Sequence, residues 1–343
     1  MYSPSEVEKF LARNTDSWDF IKDVDKKDLI EQIHELGGNS FKTVPFVHQL
    51  ASFLLGTHKE SFLYYLFCGA GKSKIVLDIL NYFFNNKKIS KTLILVPYTI
   101  TIESWVEQIK EHSNFTYLPL LGTTKQRWEL IKNCNDYDLV GLSYPGLTAM
   151  IPYSITKIKN KKRILLDYEK LDEFSNYFDS IIYDEIHEIK GFQTIIFSIC
   201  KYLSSKYKYK YGLTGTPTSR NLEDLWSQFY LIDGGETLGK TISFYRQAFF
   251  EQKKNYWGGY DYKINKDKKS LLMKIIKNIS ISYKDTEVFD LPEKINIKRY
   301  LLPTKQQSDF YKKAIDGIIE AKGDITLLEN SFVKLRQITS GFI

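Results

Sequence analysis

Cysteine is scarce in this sequence. Its 343 residues contain three, Cys68, Cys134 and Cys200. Three scattered thiols make neither a disulfide framework nor a zinc site by themselves, so a reducing, cytoplasmic setting is expected. Long apolar runs are also missing. No stretch approaches the ~20 residues a membrane-spanning helix needs, and no membrane partner is expected. The opening residues, Met1-Tyr2-Ser3-Pro4-Ser5-Glu6, have no basic stretch leading into an apolar core. That excludes a secretory signal of the usual kind. No internal repeat and no low-complexity linker is found.

What is present is ordinary for a globular protein, with 43% hydrophobic and 26% charged residues. The length implies two domains, one of them incomplete. A formal net charge of +7 permits a polyanionic partner and equally fits a mildly basic protein. The abundance of Lys, Ile, Asn and Tyr fits an AT-rich genome, that of a phage or a low-GC bacterium.

Residues 1–44 read as a helical N-terminal segment. Ser3 is a candidate N-cap, with Pro4 at the first helical position and Glu6 at the third. A second helix fits Lys27 to Leu36, stopped by Gly37-Gly38. From residue 45 to 235 short apolar runs alternate with helical stretches. The strand candidates are Phe62–Leu66, Thr92–Val96, Leu139–Leu142, Ser180–Tyr183 and Tyr209–Leu213. Helices are expected over Lys74–Phe84, Ile102–Glu111, Thr124–Asn133 and Leu171–Phe178. This pattern predicts an α/β fold with a parallel sheet covered on both faces, its ligands beyond the carboxyl ends of the strands. Residues 236–290 read as a helical insertion or linker. It holds an amphipathic stretch, Phe244–Lys254, and a helix, Leu271–Ile279. Residues 291–343 suggest a strand, Ile295–Leu302, and helices at Lys305–Lys322 and Leu327–Thr339.

The first strand runs into Cys68-Gly69-Ala70-Gly71-Lys72-Ser73 and then a helix. Glycines let the backbone curl so that several N–H groups converge on one phosphate. The helix N-terminus adds partial positive charge. Lys72 is placed to reach the β and γ phosphates of ATP, and Ser73 to ligate Mg2+. The usual consensus has another glycine where Leu66 stands, so a Gly-rich turn with a chance Lys-Ser is the competing reading.

Ser180-Ile181-Ile182-Tyr183 ends in Asp184-Glu185-Ile186-His187. Asp184 suits a Mg2+ site and Glu185 suits a base for the attacking water. His187 would join the nucleotide site to the next motif. An Asp-Glu pair opening a polar loop is common, and only the phosphate loop before it gives the pair weight. Leu213-Thr214-Gly215-Thr216-Pro217 follows another apolar strand. Its two hydroxyls suit a relay sensing the γ-phosphate, and a plain Thr-Gly-Pro turn is the alternative.

These motifs, with Asn221-Leu222-Glu223-Asp224-Leu225-Trp226-Ser227-Gln228-Phe229, resemble superfamily 2 helicases, specifically the Swi/Snf-like double-stranded DNA translocases of phage type. Matching stretches include Pro45-Phe46-Val47-His48-Gln49, Leu95-Val96-Pro97, Trp105-Val106-Glu107, Ser143-Tyr144, Leu291-Pro292-Glu293-Lys294 and Lys334-Leu335-Arg336-Gln337-Ile338. The resemblance implies a RecA-like P-loop lobe that hydrolyses ATP with Mg2+. It places Gln49 on the adenine, and Gly69, Ala70, Gly71 and Lys72 on the phosphates. Ser73 and Asp184 would hold the metal, and Glu185, with Lys72 and His187, would serve catalysis. Thr214 and Thr216 would couple nucleotide state to DNA. Pro97, Tyr98, Ser143, Tyr144 and Lys190 fall where the family touches the DNA backbone. Gly191 departs from the family, which often has Asn there.

Such motors have two lobes, and the second supplies arginine fingers worth on the order of 10³ or more in rate in related NTPases. Residues 291–343 are expected to begin that lobe without completing it. The expectation is a polypeptide that binds ATP and turns it over poorly alone, with a C-terminal lobe or protein partner missing. The alternatives are a nucleotide-gated DNA- or protein-binding module and a restriction-type or RNA helicase lobe. Three basic stretches remain. Lys157, Lys159, Lys161, Lys162 and Arg163 fit phosphate contacts and solvated loops equally. Lys206, Lys208 and Lys210 lead into a core strand, which favours a solvated edge. Residues 263–269 form the third. Tyr256-Trp257-Gly258-Gly259-Tyr260 could stack on a base, but a packed hairpin or loop suits it better.

Overall fold

The computed structural model describes residues 3–12, 17–38, 40–158, 161–217, 221–255, 258–288, 297–320 and 333–341. They fall into two compact units, Met1–Asp290 and Leu291–Ile343. In chain order the strands are β1 Ser61–Leu66, β2 Thr92–Val96, β3 Tyr117–Pro119, β4 Leu139–Ser143, β5 Tyr153–Ile158, β6 Lys161–Leu166, β7 Ser180–Asp184, β8 Tyr209–Thr214, β9 Phe250–Lys254, β10 Tyr260–Ile264 and β11 Ser280–Tyr283. The helices of the first unit are α1 Pro4–Ala12, α2 Lys26–Glu35, α3 Val47–Lys59, α4 Lys72–Asn85, α5 Thr99–His112, α6 Thr124–Lys132, α7 Tyr144–Met150, α8 Tyr168–Ser175, α9 Ile195–Lys206, α10 Leu225–Asp233, α11 Ile242–Phe249, α12 Lys266–Ile276 and α13 Asp285–Val288. The second unit contains α14 Lys305–Glu320.

Seven strands form one all-parallel sheet in the order β11-β1-β8-β7-β2-β4-β3. The near-continuous apolar strands follow from burial on both faces. Alternate residues separate two cores. Leu63, Tyr65, Leu93, Leu95, Ile181 and Tyr183 join the layer that includes α9, α10 and α11. Phe62, Tyr64, Leu66, Ile94, Val96 and Ile182 join the layer of α3, α4 and α5. Burying each such side chain contributes about 1.5–3 kcal/mol. At Gly212 in β8, an added Cβ would lie 2.5 Å from Leu63 and 2.8 Å from Ile186. The missing side chain lets the turn after β7 close onto the sheet.

The first helix carries the expected capping box. Glu6 N–H donates to Ser3 Oγ at 3.3 Å, and Ser3 N–H donates to Glu6 Oε2 at 2.7 Å. The Gly37-Gly38 stop is also present, with φ of +96° and +76°.

Elsewhere the structure departs from the sequence reading. Phe244–Lys254 is not one amphipathic element: α11 stops at Phe249 and β9 follows, paired with β10. Tyr256 and Trp257 lie outside the described residues, while Tyr260 is in that hairpin. The stretch 236–290 includes helices and also supplies β11 to the edge of the sheet beside β1. The expected strand Ile295–Leu302 is not formed over residues 297–302, where Tyr300, Leu301 and Leu302 are almost fully exposed. A strand needs an edge to pair with, and the described residues of the second unit contain none. Residues 291–296 and 321–332 lie outside the description, and residues 333–339 are helical. In this unit Gln307 Nε2 donates to the Ile338 carbonyl at 3.1 Å.

β8 is flanked by β1 and β7. Lys210, the one lysine of this cluster inside β8, is therefore not at a sheet edge, while Lys206 and Lys208 are exposed outside the strand. Lys206 pairs with Asp172 and Lys208 with Glu60, each at 2.7 Å. Lys157, Lys161, Lys162 and Arg163 fall in the β5–β6 hairpin, and Lys159 lies outside the described residues. Among the described residues, no helix is long and apolar enough to cross a membrane.

Helix α4 buries an ion pair, Lys74 Nζ to Asp78 Oδ2 at 2.6 Å, with both side chains about 5% exposed or less. Burial, opposed by Lys74, pushes the Asp78 carboxyl up to about 6. We predict that Lys74→Met destabilises the protein by about 3–5 kcal/mol at pH 8, because a buried carboxylate loses its lysine. Asp78 has a higher pKa folded than unfolded. Its charge therefore opposes folding as pH rises above the unfolded value, and the penalty is complete above the folded one. The Lys74→Met loss should shrink at pH 5, as denaturant unfolding at the two pH values would show. Equal losses would contradict the assignment.

Candidate nucleotide-binding site

The loop between β1 and α4 takes its shape from two left-handed glycines, Gly69 at φ +89° and Gly71 at φ +78°. Gly71 is the N-cap of α4. The first turn of α3 braces this loop. His48 Nε2 lies 2.8 Å from the Ala70 carbonyl, and a carbonyl only accepts, so His48 is the Nε2–H donor. Burial lowers the pKa of this imidazole. Gln49 Nε2 donates to the same carbonyl at 3.3 Å, and Gln49 Oε1 accepts from Phe46 N–H at 3.0 Å. Gln49 thus ties α3 to the loop while keeping a second N–H for a ligand. Lys72 Nζ donates to the Leu66 carbonyl at 3.1 Å. A cleft of about 540 Å3 opens here, lined by Phe46, Gln49, Gly69, Lys72, Ser73 and His112 among others.

The acidic turn lies two strands away across the sheet. Asp184 closes β7, and its Oδ2 accepts from the Trp105 indole N–H at 3.0 Å. Burial raises the Asp184 carboxyl above the ordinary range, while Trp105 and nearby Lys72 oppose the rise. Tyr144 donates its hydroxyl to the Asp184 carbonyl at 2.7 Å. Glu185 is one of few non-glycine residues here with positive φ, at +47°. Left-handed backbone costs a non-glycine residue about 1–3 kcal/mol, and such residues cluster at functional sites.

That backbone turns the Glu185 side chain toward β8. Thr214 Oγ1 donates to Glu185 Oε2 at 2.9 Å. Thr214 Oγ1 in turn accepts from Thr216 N–H at 3.0 Å. His187 Nδ1 lies 2.7 Å from Thr214 Oγ1 and 3.1 Å from Glu185 Oε2. A hydroxyl has one proton, and here it goes to Glu185, so His187 Nδ1 is the donor to Thr214. Thr214 takes part through its side chain and Thr216 through its backbone.

The extended signature after Thr216 supports this turn. Gln228 is fully buried in α10. Its Nε2 donates to the Pro217 carbonyl at 2.7 Å, and its Oε1 accepts from the Tyr65 hydroxyl at 3.3 Å. Sequence reasoning missed the roles of Trp105, Tyr144 and Gln228. They lie far along the chain from the groups they hold, and only the motif spacing hinted at them.

The candidate track residues separate. Pro97, Tyr98 and Tyr144 line one cleft of about 740 Å3, together with Tyr153 and Glu188. Ser143 is 2% exposed, and its hydroxyl accepts from Gly146 N–H as the cap of α7. Lys190 is exposed on the turn after the acidic box. Among the described residues, no group of three or more His, Cys, Asp or Glu is arranged to hold a metal. Mg2+ would need the Ser73 hydroxyl and Asp184 with phosphate oxygens and waters, its usual donor set beside a nucleotide.

Comparison with known proteins agrees with this geometry. The SNF2-related domain matches residues 54–341. Protein p41 of Acyrthosiphon pisum secondary endosymbiont phage 1 is 23% identical over 320 residues, which cover 89% of this chain and 65% of that protein. The ATP-dependent helicase FUN30 of Saccharomyces cerevisiae is 26% identical over 190 residues, 54% of this chain and 15% of the helicase. The Sulfolobus solfataricus SWI2/SNF2 ATPase core in complex with dsDNA superposes with a TM-score of 0.54 at 21% identity, covering 88% of this chain and 59% of that one. The chain thus spans less than two thirds of each of these proteins.

At Gly71 an added Cβ would fall 2.3 Å from Gln49 Nε2, on a left-handed backbone. We predict that Gly71→Ala costs about 1–2 kcal/mol from the backbone alone. It should also eliminate binding of a fluorescent ATP analogue. Wild-type affinity in this variant would show that the loop is not the phosphate cradle.

Proposed function

The chain belongs to the SNF2-related domain family, and we propose that it is the ATP-binding motor lobe of a double-stranded DNA translocase. The observation that carries this reading is the junction of Glu185, His187 and Thr214, opposite the phosphate loop across the ends of parallel strands. A structural turn has no need of a strained carboxylate hydrogen-bonded to a hydroxyl from the next strand. A water-activating site does.

In this reading the loop amides and Lys72 hold the β and γ phosphates, and Gln49 offers its remaining N–H to the adenine. Ser73 and Asp184 hold Mg2+, which neutralises phosphate charge when bound. Glu185 accepts a proton from the water that attacks the γ-phosphorus, and ADP and phosphate leave. Thr214 fixes the Glu185 carboxylate, and His187 fixes Thr214. Duplex DNA is the proposed track, as named for the archaeal ATPase core, with Pro97, Tyr98 and Tyr144 in the cleft it would meet. Lys190 is an exposed cation available to its backbone, whereas Ser143 would act by capping α7. The residues beyond 291 are proposed to open the second lobe, and turnover by this polypeptide alone is proposed to be low.

Two substitutions separate binding from chemistry. Lys72→Ala should abolish nucleotide binding. Glu185→Gln should retain it and slow single-turnover hydrolysis by about 10²–10⁴-fold, the usual contribution of a general base. Measurements run with duplex DNA, single strands and RNA would identify the track. Hydrolysis by wild type that neither substitution alters would sink the motor reading. Sound nucleotide and duplex binding with no hydrolysis in any form would favour a nucleotide-gated module.

A further inference from the structure

The acidic box continues past His187 into Glu188, a residue the motor reading does not use. Residues Ile186–Glu188 form a single 3-10 turn, closed by Glu188 N–H donating to the Glu185 carbonyl at 2.9 Å. Glu185, the left-handed cap of this turn, and Glu188 at its end flank the same imidazole. His187 Nδ1 stands 3.1 Å from Glu185 Oε2, and His187 Nε2 stands 3.4 Å from Glu188 Oε1. One ring joins two carboxylates that face different spaces.

Glu185 faces the nucleotide side through Thr214. Glu188, with 37% of its side chain exposed, lines the other cleft with Pro97, Tyr98 and Tyr144. Among the described residues lining that cleft, Glu188 alone is charged. Tyr144 reaches from the same cleft to the Asp184 carbonyl. Two walls of one cleft thus hold the turn that carries the metal and water residues.

We infer that Glu188 is a positioning residue that couples the track cleft to the catalytic carboxylate. With the cleft free of polyanion, its carboxylate faces His187 Nε2 from the outer side, a contact that attracts when that nitrogen, like Nδ1, carries a proton. A phosphate backbone entering the cleft brings like charge against Glu188 and displaces it. His187 then loses its outer partner and is held by Thr214 and Glu185 alone. Because binding linkage is reciprocal, nucleotide at Glu185 must change duplex affinity by the same factor. The inference rests on the motor reading for the identity of the polyanion. The contact between Glu188 and His187 does not depend on it.

The test uses the full chain and Glu188→Gln, which keeps the size and removes the charge of a half-exposed side chain. Imidazole 15N spectra of histidine-labelled protein, with His187 assigned by its loss in His187→Asn, read the contact without any need for activity. Duplex affinity measured by fluorescence anisotropy, with and without a non-hydrolysable ATP analogue, reads the coupling. The inference expects Glu188→Gln to move the His187 Nε2 signal, and duplex to move it likewise in wild type. Glu188→Gln should bind duplex more tightly, while the effect of nucleotide on duplex affinity falls about fivefold or more, the low end of ordinary coupling. An unmoved His187 signal, or unaltered coupling with both ligands bound, would overturn the inference. A wild-type chain that binds no nucleotide in a Lys72-dependent way, or no duplex, would instead sink the motor reading, with the His187 spectra still reporting on Glu188. If Glu188→Gln proves unstable by circular dichroism, Glu188→Ala is read by the same criteria.

Discussion

The hydroxyl of Thr214 holds together the ends of two adjacent parallel strands. The register of β7 and β8 sets Asp184 against Leu213, which brings Glu185 level with Thr214 at the next step. Side-chain direction alternates along a strand, so a slip of one residue would turn Thr214 into the sheet's other face. The left-handed backbone of Glu185 and the hydrogen bond it makes possible require each other. The bond offsets the cost of the backbone, and the backbone directs the carboxylate to the bond.

Much of the surrounding structure keeps that register rigid. Trp105 reaches from α5 to the carboxylate of Asp184, and Tyr144 from α7 to its carbonyl. Gln228 in α10 pins the loop after Thr216. All three are at least nine-tenths buried, so each polar end is oriented by an apolar body packed in the core. The absence of a side chain at Gly212 admits Ile186 beneath the turn. The phosphate loop is held from the opposite side by His48 and Gln49. Trp105 comes from the same core layer as α3 and α4, Tyr144 and α10 from the other, so both layers reach the candidate site at the carboxyl edge of the sheet.

The sheet was legible in the sequence where apolar runs end in motifs, as in β1, β2 and β7. Burial on both faces leaves such strands almost continuously hydrophobic, and a polar motif marks the stop. Other elements carried no such signal. Helix α3 is buried at every position from His48 to Thr57, which erases the one-sided periodicity that marks a surface helix. Strand β3 is only three residues long. The helix expected over Leu271–Ile279 runs past the end of α12 at Ile276, and β11, starting at Ser280, carried no signal of its own. The proposed site residues could be listed from motif spacing. The φ of Glu185, the proton assignment at Thr214 and the second carboxylate beside His187 depend on tertiary contacts that spacing does not encode.

In the proposed reaction the Thr214 hydroxyl positions Glu185 for water activation and plays no part in binding nucleotide. Thr214→Val keeps the shape of this fully buried side chain and removes the hydroxyl. The direct measurement is single-turnover ATP hydrolysis by this variant with duplex DNA, alongside its affinity for a fluorescent ATP analogue. We predict near wild-type affinity with hydrolysis slowed by about 10²-fold, the low end for a disabled general base. Hydrolysis at the wild-type rate, or loss of nucleotide binding in a folded variant, would contradict it.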